Sequence, residues 1–242
     1  MVMERNIPRR ISVTLIAIAG ICGHLALGVY YSGVLVPQQK FAGNLPTLEL
    51  MQNIRQNQTA ILLDGYLQGV GTFLSVIFFA GLVYLSGAGR RLSGWISLII
   101  LSVMLTISLV DVTFTVVVVT SALAGHVETM RLAIDFITGS TEGFDYTFLF
   151  VPAPSLIICL AVILFTSRLL PRIFSYLAIA IGLAFIAIGI ISLFKTLAGP
   201  PGLAFEIVQL VQVLWVLSAA IFVLIYGQKR LRSALASREV QG

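Results

Sequence analysis

Charge is scarce in this chain: Asp, Glu, Lys and Arg make up 10% of its 242 residues, ten acids against fifteen bases. A soluble domain is about a quarter charged, so an ordinary globular composition is excluded. Histidine is rarer still, and His24 and His126 fall in different segments, which argues against a histidine-rich metal hydrolase. The two cysteines, Cys22 and Cys159, form no C-x-x-C pair. Each sits in an apolar stretch where a free thiol acts as a small hydrophobe, so neither a redox pair nor a metal site follows. H-E-x-x-H, G-x-S-x-G, P-loop and haem-attachment motifs are all missing. Catalysis therefore lacks positive support, no catalytic residue can be named, and neither a metal nor another cofactor is expected.

Hydrophobic residues fill the space left by charge: they form 58% of the chain, and mean hydropathy is +1.02. Six apolar runs can be marked, at 11–36, 59–86, 94–123, 147–167, 173–194 and 203–226. Each is long enough to cross a hydrocarbon layer of about 30 Å at about 1.5 Å per residue. Backbone groups in lipid must bond to one another, and the runs lack the alternating pattern of barrel strands. The expected fold is all-α, a single transmembrane domain over 1–242 with six spans, outer loops 37–58 and 124–146, and a tail at 227–242.

Orientation follows from the bases. Arg5, Arg9, Arg10, Arg90, Arg91, Arg168, Arg172, Lys229, Arg230, Arg232 and Arg238 fall at the termini and the two short turns, against Lys40, Arg55, Arg131 and Lys195 on the other side. The excess predicts that both termini are cytoplasmic. The net charge of +5 is mostly this bias, strengthened by attraction to anionic lipid, and gives no reason to expect a nucleic-acid partner. The basic N-terminus ahead of run 11–36 resembles a signal peptide. The run is too long for one and lacks a cleavage site, so it reads as a retained first span.

The outer loops are longer than the turns. In "PQQKFAGNLPTLELMQNIRQNQ", Asn44 or Thr47 is placed to cap a short helix containing Leu48, Met51 and Ile54. In the second loop "VETMRLAIDFI" is amphipathic, suited to lie flat on the interface or to lid the bundle.

Polar residues inside the runs carry the functional information. Asp111, in "SLVDVTFTVVVV", costs about 2.5–3.5 kcal/mol at the centre of a spanning helix, so something must offset it. At about 100° per residue it shares a stripe with Met104, Ser108 and Thr115, away from Leu109, Val110, Val112 and Val116. Asp64, Gln68, Gly71 and Ser75 form a second stripe, with Gly65 and Gly69 beside it to admit a close neighbour. His24 has Gly20 and Gly28 a turn away on either side and reads more readily as a packing residue than as a ligand. Glu206, Gln209 and Gln212 make a slanting ridge that ends near Trp215.

Counting from the centre of each run puts Asp111, His24 and Gln212 within about 5 Å of the midplane and Asp64 and Glu206 about 13 Å toward the outside, beneath Glu142 and Asp145. This describes an acidic funnel that opens outward, with no ionisable group in the inner halves. For Asp64 and Glu206, hydration at the interface or the positive end of a helix accounts for a charge as well as a site does.

Residues 168–226 carry an arginine-leucine-x-proline-arginine turn leading into a glycine-containing helix, and then "GLAFEIVQLVQVLWVLSAAIFVLIYG" with its early Glu206 and later Trp215. This stretch resembles a family of bacterial six-helix integral membrane proteins known only as a domain of unknown function. The resemblance implies a bacterial inner membrane, a multi-pass protein, and Glu206 as a site residue. Three functions stay open. The first is an outward-opening pocket, built from Asp111, Glu206, Asp64, His24, Gln68, Gln209 and Gln212, for a small cationic or amphipathic ligand. The second is a proton- or cation-coupled transporter using Asp111. The third is a membrane-embedded enzyme acting on a lipid-like substrate with Asp111, Glu206 and His24. Membrane lipids are expected partners, and a homo-oligomer is left open.

Overall fold

The computed structural model describes residues 10–35, 47–150, 152–167, 169–194 and 200–239, and among them every regular element is a helix. In chain order they are α1 (Arg10–Tyr31), α2 (Thr47–Gln56), α3 (Gln58–Leu85), a 3-10 turn (Ala88–Arg90), α4 (Leu92–Ala124), α5 (Val127–Phe150), α6 (Pro152–Ser167), α7 (Arg172–Phe194) and α8 (Pro200–Glu239).

Five helices are long and apolar enough to cross a membrane: Ser12–Tyr31, Gln58–Leu85, Leu92–Ala124, Arg172–Ile191 and Ala204–Lys229. The chain is therefore that of a multi-pass membrane protein. The run at 147–167 does not give a helix of its own. Its first residues close α5 at Phe150, and the rest form α6, 16 residues from Pro152 to Ser167, with proline in the first helical turn where it is tolerated. At about 24 Å, α6 falls short of a hydrocarbon layer.

Packing closes the bundle on itself. α1 lies between α8 and α3, α3 meets α4, α4 meets α6, α6 meets α7, and α7 returns to α8, while α5 touches α4, α6 and α7. α5 thus occupies the place beside α4 that the short α6 leaves vacant. Toward the 86–91 turn the interior is closely filled and mostly apolar, with Phe78, Leu82, Leu160 and Val216 fully buried and Ser86, Ser97 and Ser175 the buried polar residues among them.

A second cluster sits at the far end, under α2. Leu50 and Ile54 of α2 and Met130, Ala133, Ile134 and Ile137 of α5 bury against Val118, Val119 and Ala122 of α4. The short helix expected from Thr47 onward is present, but it buries Leu50 and Ile54 while Leu48 is exposed. The amphipathic stretch at 127–137 forms the start of α5 and packs along α4, with Phe136 stacked on Phe114 at 4.0 Å. Asn44 lies outside the described residues, as do the side chains of Glu142 and Asp145.

The end of α4 is closed with care. Gly125 takes φ +78°, a left-handed conformation that costs a side-chain-bearing residue about 1–2 kcal/mol. That turn lets the Gly125 and His126 N–H groups bond Ala122 and Ser121 carbonyls, a Schellman closure. Arg55 of α2 then donates from Nε to Ala122 O at 2.8 Å and from Nη2 to Leu123 O at 3.4 Å, placing a cation at the negative end of α4. Arg131 of α5 donates to the Thr47 hydroxyl at the opposite end of α2. Two arginines thus pin α2 to the long helices beneath it.

Candidate functional site

Three side-chain pairs line up along α3. Gln68 Nε2 donates to Asp111 Oδ2 of α4 at 3.0 Å. One turn further, Ser108 Oγ of α4 donates to Thr72 Oγ1 at 3.1 Å. Next, Ser75 Oγ meets His24 Nδ1 of α1 at 3.1 Å. His24 Nδ1 also lies 3.2 Å from Gly20 O, and because a carbonyl only accepts, that bond puts the ring proton on Nδ1. The edge of His24 faces Phe79 with ring centroids 5.9 Å apart, and its side chain is buried.

Both expected stripes face inward. Ser108 and Thr115 are buried and Asp111 half-buried, whereas Leu109, Val110 and Val116 are exposed; Val112, expected to point away with them, instead is half-buried against Gly69 of α3. On α3, Asp64 and Ser75 are buried and Gln68 half-buried. Thr72 carries a pair that the sequence reading assigned to no residue; its i+4 spacing from Gln68 was the available signal.

α1 and α3 meet backbone to backbone at Gly23 and Gly71. A Cβ on Gly23 would stand 2.8 Å from Ser75 N and 2.9 Å from Gly71 O, and a Cβ on Gly71 would stand 3.0 Å from Gly23 O. The missing side chains let α1 and α3 meet backbone to backbone, and so bring His24 within reach of Ser75. Of the two glycines expected to share this role, Gly20 does, its Cβ position falling 2.6 Å from the Phe78 ring, whereas Gly28 faces open space.

The seam is graded in depth. From Gln68 to Ser75 the pairs descend about 10 Å along α3. Asp111 and His24 therefore do not share a level, contrary to the expectation from run centres. Counting from the centre assumes that each run sits symmetrically, whereas α4 has 33 residues, about 50 Å, and overhangs. Exposed tyrosines mark two levels on α3, Tyr66 at 61% exposure and Tyr84 at 64%, about 27 Å apart. Gln68 and its partner Asp111 lie within a turn of the first, and His24 lies near the middle. Beyond Ser75, Phe78, Phe79, Leu82 and Val83 are buried, and the polar seam ends against them.

The ridge on α8 stands apart. α8 packs on α1 and α7, Glu206 is exposed, and Gln209 and Gln212 are half-buried. Among the described residues no hydrogen bond joins these three to Asp111. Trp215 is buried and donates to Phe174 O of α7 at 2.9 Å, a structural tie. Asp64 lies a turn along α3 from Gln68, beside Gly65, which meets Thr115 of α4.

Chemically, the Asp111 carboxylate has about four acceptor positions, and among the described residues its one hydrogen bond is from Gln68. An amide donor orients the carboxylate without neutralising it. No group of three or more His, Cys, Asp or Glu side chains among the described residues is placed to hold a metal ion. Set against family models, curated proteins and solved structures, the chain finds no match in any of the three comparisons.

Proposed function

We propose that this multi-pass protein binds a small cationic or amphipathic molecule at Asp111 and Gln68, entered from the end that carries α2. The reading is supported above all by the Gln68–Asp111 pair, a half-buried carboxylate held by one neutral donor in the α3–α4 interface. If the two tyrosine levels follow the membrane surfaces, as interfacial aromatics do, Asp111 lies just inside one of them. A shallow position lowers the cost of its charge and leaves it within reach of water. Asp64 adds a second negative group nearby, and the excess of arginine and lysine at the opposite end argues that the α2 end is external.

The six-span reading belongs with this proposal. Phe136 of α5 stacks on Phe114 of α4, and Thr166 at the end of α6 accepts from Arg91 at the start of α4. α5 and α6 together thus accompany α4 from one end toward the other as one interrupted crossing. Both termini then share the cytoplasmic side, in an inner membrane if the likeness of 168–226 to the bacterial six-helix family reflects descent. A through-going transporter is disfavoured, because the seam stops at Phe78 and Phe79. His24 serves as packing in this account, and Glu206 as a solvated charge.

Titration of the detergent-purified protein with tetraphenylphosphonium, an amphipathic cation, tests the reading. Asp111→Asn keeps shape and hydrogen-bonding capacity but loses charge, so it should melt near the wild-type temperature and bind about ten- to a hundredfold more weakly, the worth of one charged interaction of about 1.5–3 kcal/mol. Equal affinity in a folded Asp111→Asn protein would return Asp111 to a packing role.

A further inference from the structure

At the end opposite α2, two arginines approach the last turn of α6 from its two neighbours. Arg91, immediately before α4, donates from Nη1 to Thr166 Oγ1 at 2.7 Å. Arg172, the first residue of α7, holds its guanidinium 5.9 Å from the centroid of the Phe165 ring. Both arginines are exposed, so each keeps donors free after its contact with α6, since a guanidinium has five.

The surface beneath them is apolar and aromatic. Tyr176, one turn along α7 from Arg172, meets Phe165 edge to face with centroids 5.3 Å apart. Trp95, one turn along α4 from Arg91 and hence on nearly the same face, is 58% exposed. Val162, a turn deeper on α6, is also exposed. Phe165 and Val162 of α6, Trp95 of α4 and Tyr176 of α7 thus offer an exposed apolar and aromatic surface next to the two guanidinia.

Among the described side chains, charge at this end is of one sign. The acids whose side chains are described, Glu49, Asp64, Asp111, Glu128, Asp135 and Glu206, all lie toward the α2 end. An anion with a long apolar body matches such a surface. Its phosphate would bridge the two guanidinia, and an acyl chain would lie over Phe165 and Val162.

We propose that Arg91 and Arg172, with Trp95, Phe165 and Tyr176, form a binding site for the phosphate headgroup and first acyl chain of an anionic phospholipid. The site is independent of Asp111. It differs from the diffuse attraction that any basic membrane flank exerts, because these arginines are positioned by Thr166 and Phe165.

Trp95 provides the readout, since a brominated acyl chain in contact with an indole quenches its fluorescence, while Trp215 is buried and supplies a constant background. The protein is reconstituted in phosphatidylcholine vesicles containing a minor fraction of phosphatidylglycerol, with bromine placed either on the phosphatidylglycerol or on an equal fraction of the phosphatidylcholine. Brominated phosphatidylglycerol should quench several-fold more than brominated phosphatidylcholine. The preference should vanish in Arg91→Gln/Arg172→Gln and persist in the charge-matched Arg90→Gln/Lys229→Gln. Equal quenching by the two lipids in the wild-type protein would overturn the site, as would a preference that survives loss of Arg91 and Arg172. A preference lost equally in both paired variants would replace the site with diffuse surface charge. If the first pair fails to fold, Arg172→Gln alone should still reduce the preference, and no reduction would count against the proposal.

Discussion

A carboxylate that receives one amide hydrogen bond keeps most of its acceptor capacity, and Asp111 is such a group. His24 differs: its Nδ1 is taken up by Ser75 and Gly20, and the side chain is buried. Its position depends on Gly23, where an added methyl would meet the backbone of α3. Gly23→Ala should therefore destabilise the protein by about 1–3 kcal/mol through overpacking, seen as a melting temperature lower by several degrees. Gly28→Ala, with nothing within 4 Å, should be neutral or slightly stabilising because alanine favours helix. A drop as large for Gly28→Ala as for Gly23→Ala would contradict the close crossing. Asp111 and His24 could be singled out in the sequence because a polar group inside an apolar run stands out against its neighbours. Which glycines make the contact could not, since Gly20 and Gly23, which meet α3, and Gly28, which does not, differ only in what the partner helix presents.

Among the elements, α3 and α4 were the most legible, since long apolar runs with polar stripes fix both helix type and inward face. α6 was not, because its apolar residues run straight on from those closing α5. Only Pro152 and Pro154 signal where α6 starts, and prolines are tolerated in membrane helices often enough that hydropathy outweighs them. Depth was hidden for a related reason: composition does not show where along the 33 residues of α4 the apolar layer sits, and so how deep Asp111 lies. α2 is tied to α4 by Arg55 and to α5 by Arg131. Both arginines are exposed, so Arg55→Ala should cost only about 1 kcal/mol of global stability. It should, however, speed hydrogen exchange in the amides of 47–56 while leaving α3 unchanged. Unaltered exchange in α2 would mean that the apolar contacts of Leu50 and Ile54 hold it alone.

Among its described residues the molecule is a closed bundle with two unlike ends: one basic, mostly apolar inside and closely filled, the other carrying the described acids under a small helical cap. Reporter fusions after Arg91, Arg172 and Arg238 should register cytoplasm, and fusions at Gly43 and Gly139 the outside; a cytoplasmic signal from either of the latter would reverse the orientation. The central claim is that the polar seam is open to water at the α2 end and sealed at the other. Cysteine accessibility tests it most directly. In a background with Cys22 and Cys159 replaced by alanine, the single variants Gln68→Cys, Thr72→Cys, Ser75→Cys and Leu82→Cys are exposed to a membrane-impermeant maleimide from each side separately. The account predicts labelling of Gln68→Cys from the α2 side, slower labelling at Thr72→Cys, little at Ser75→Cys, and none at Leu82→Cys from either side. Labelling of Ser75→Cys or Thr72→Cys from the side of the 86–91 turn, or protection of Gln68→Cys from both sides, would contradict it.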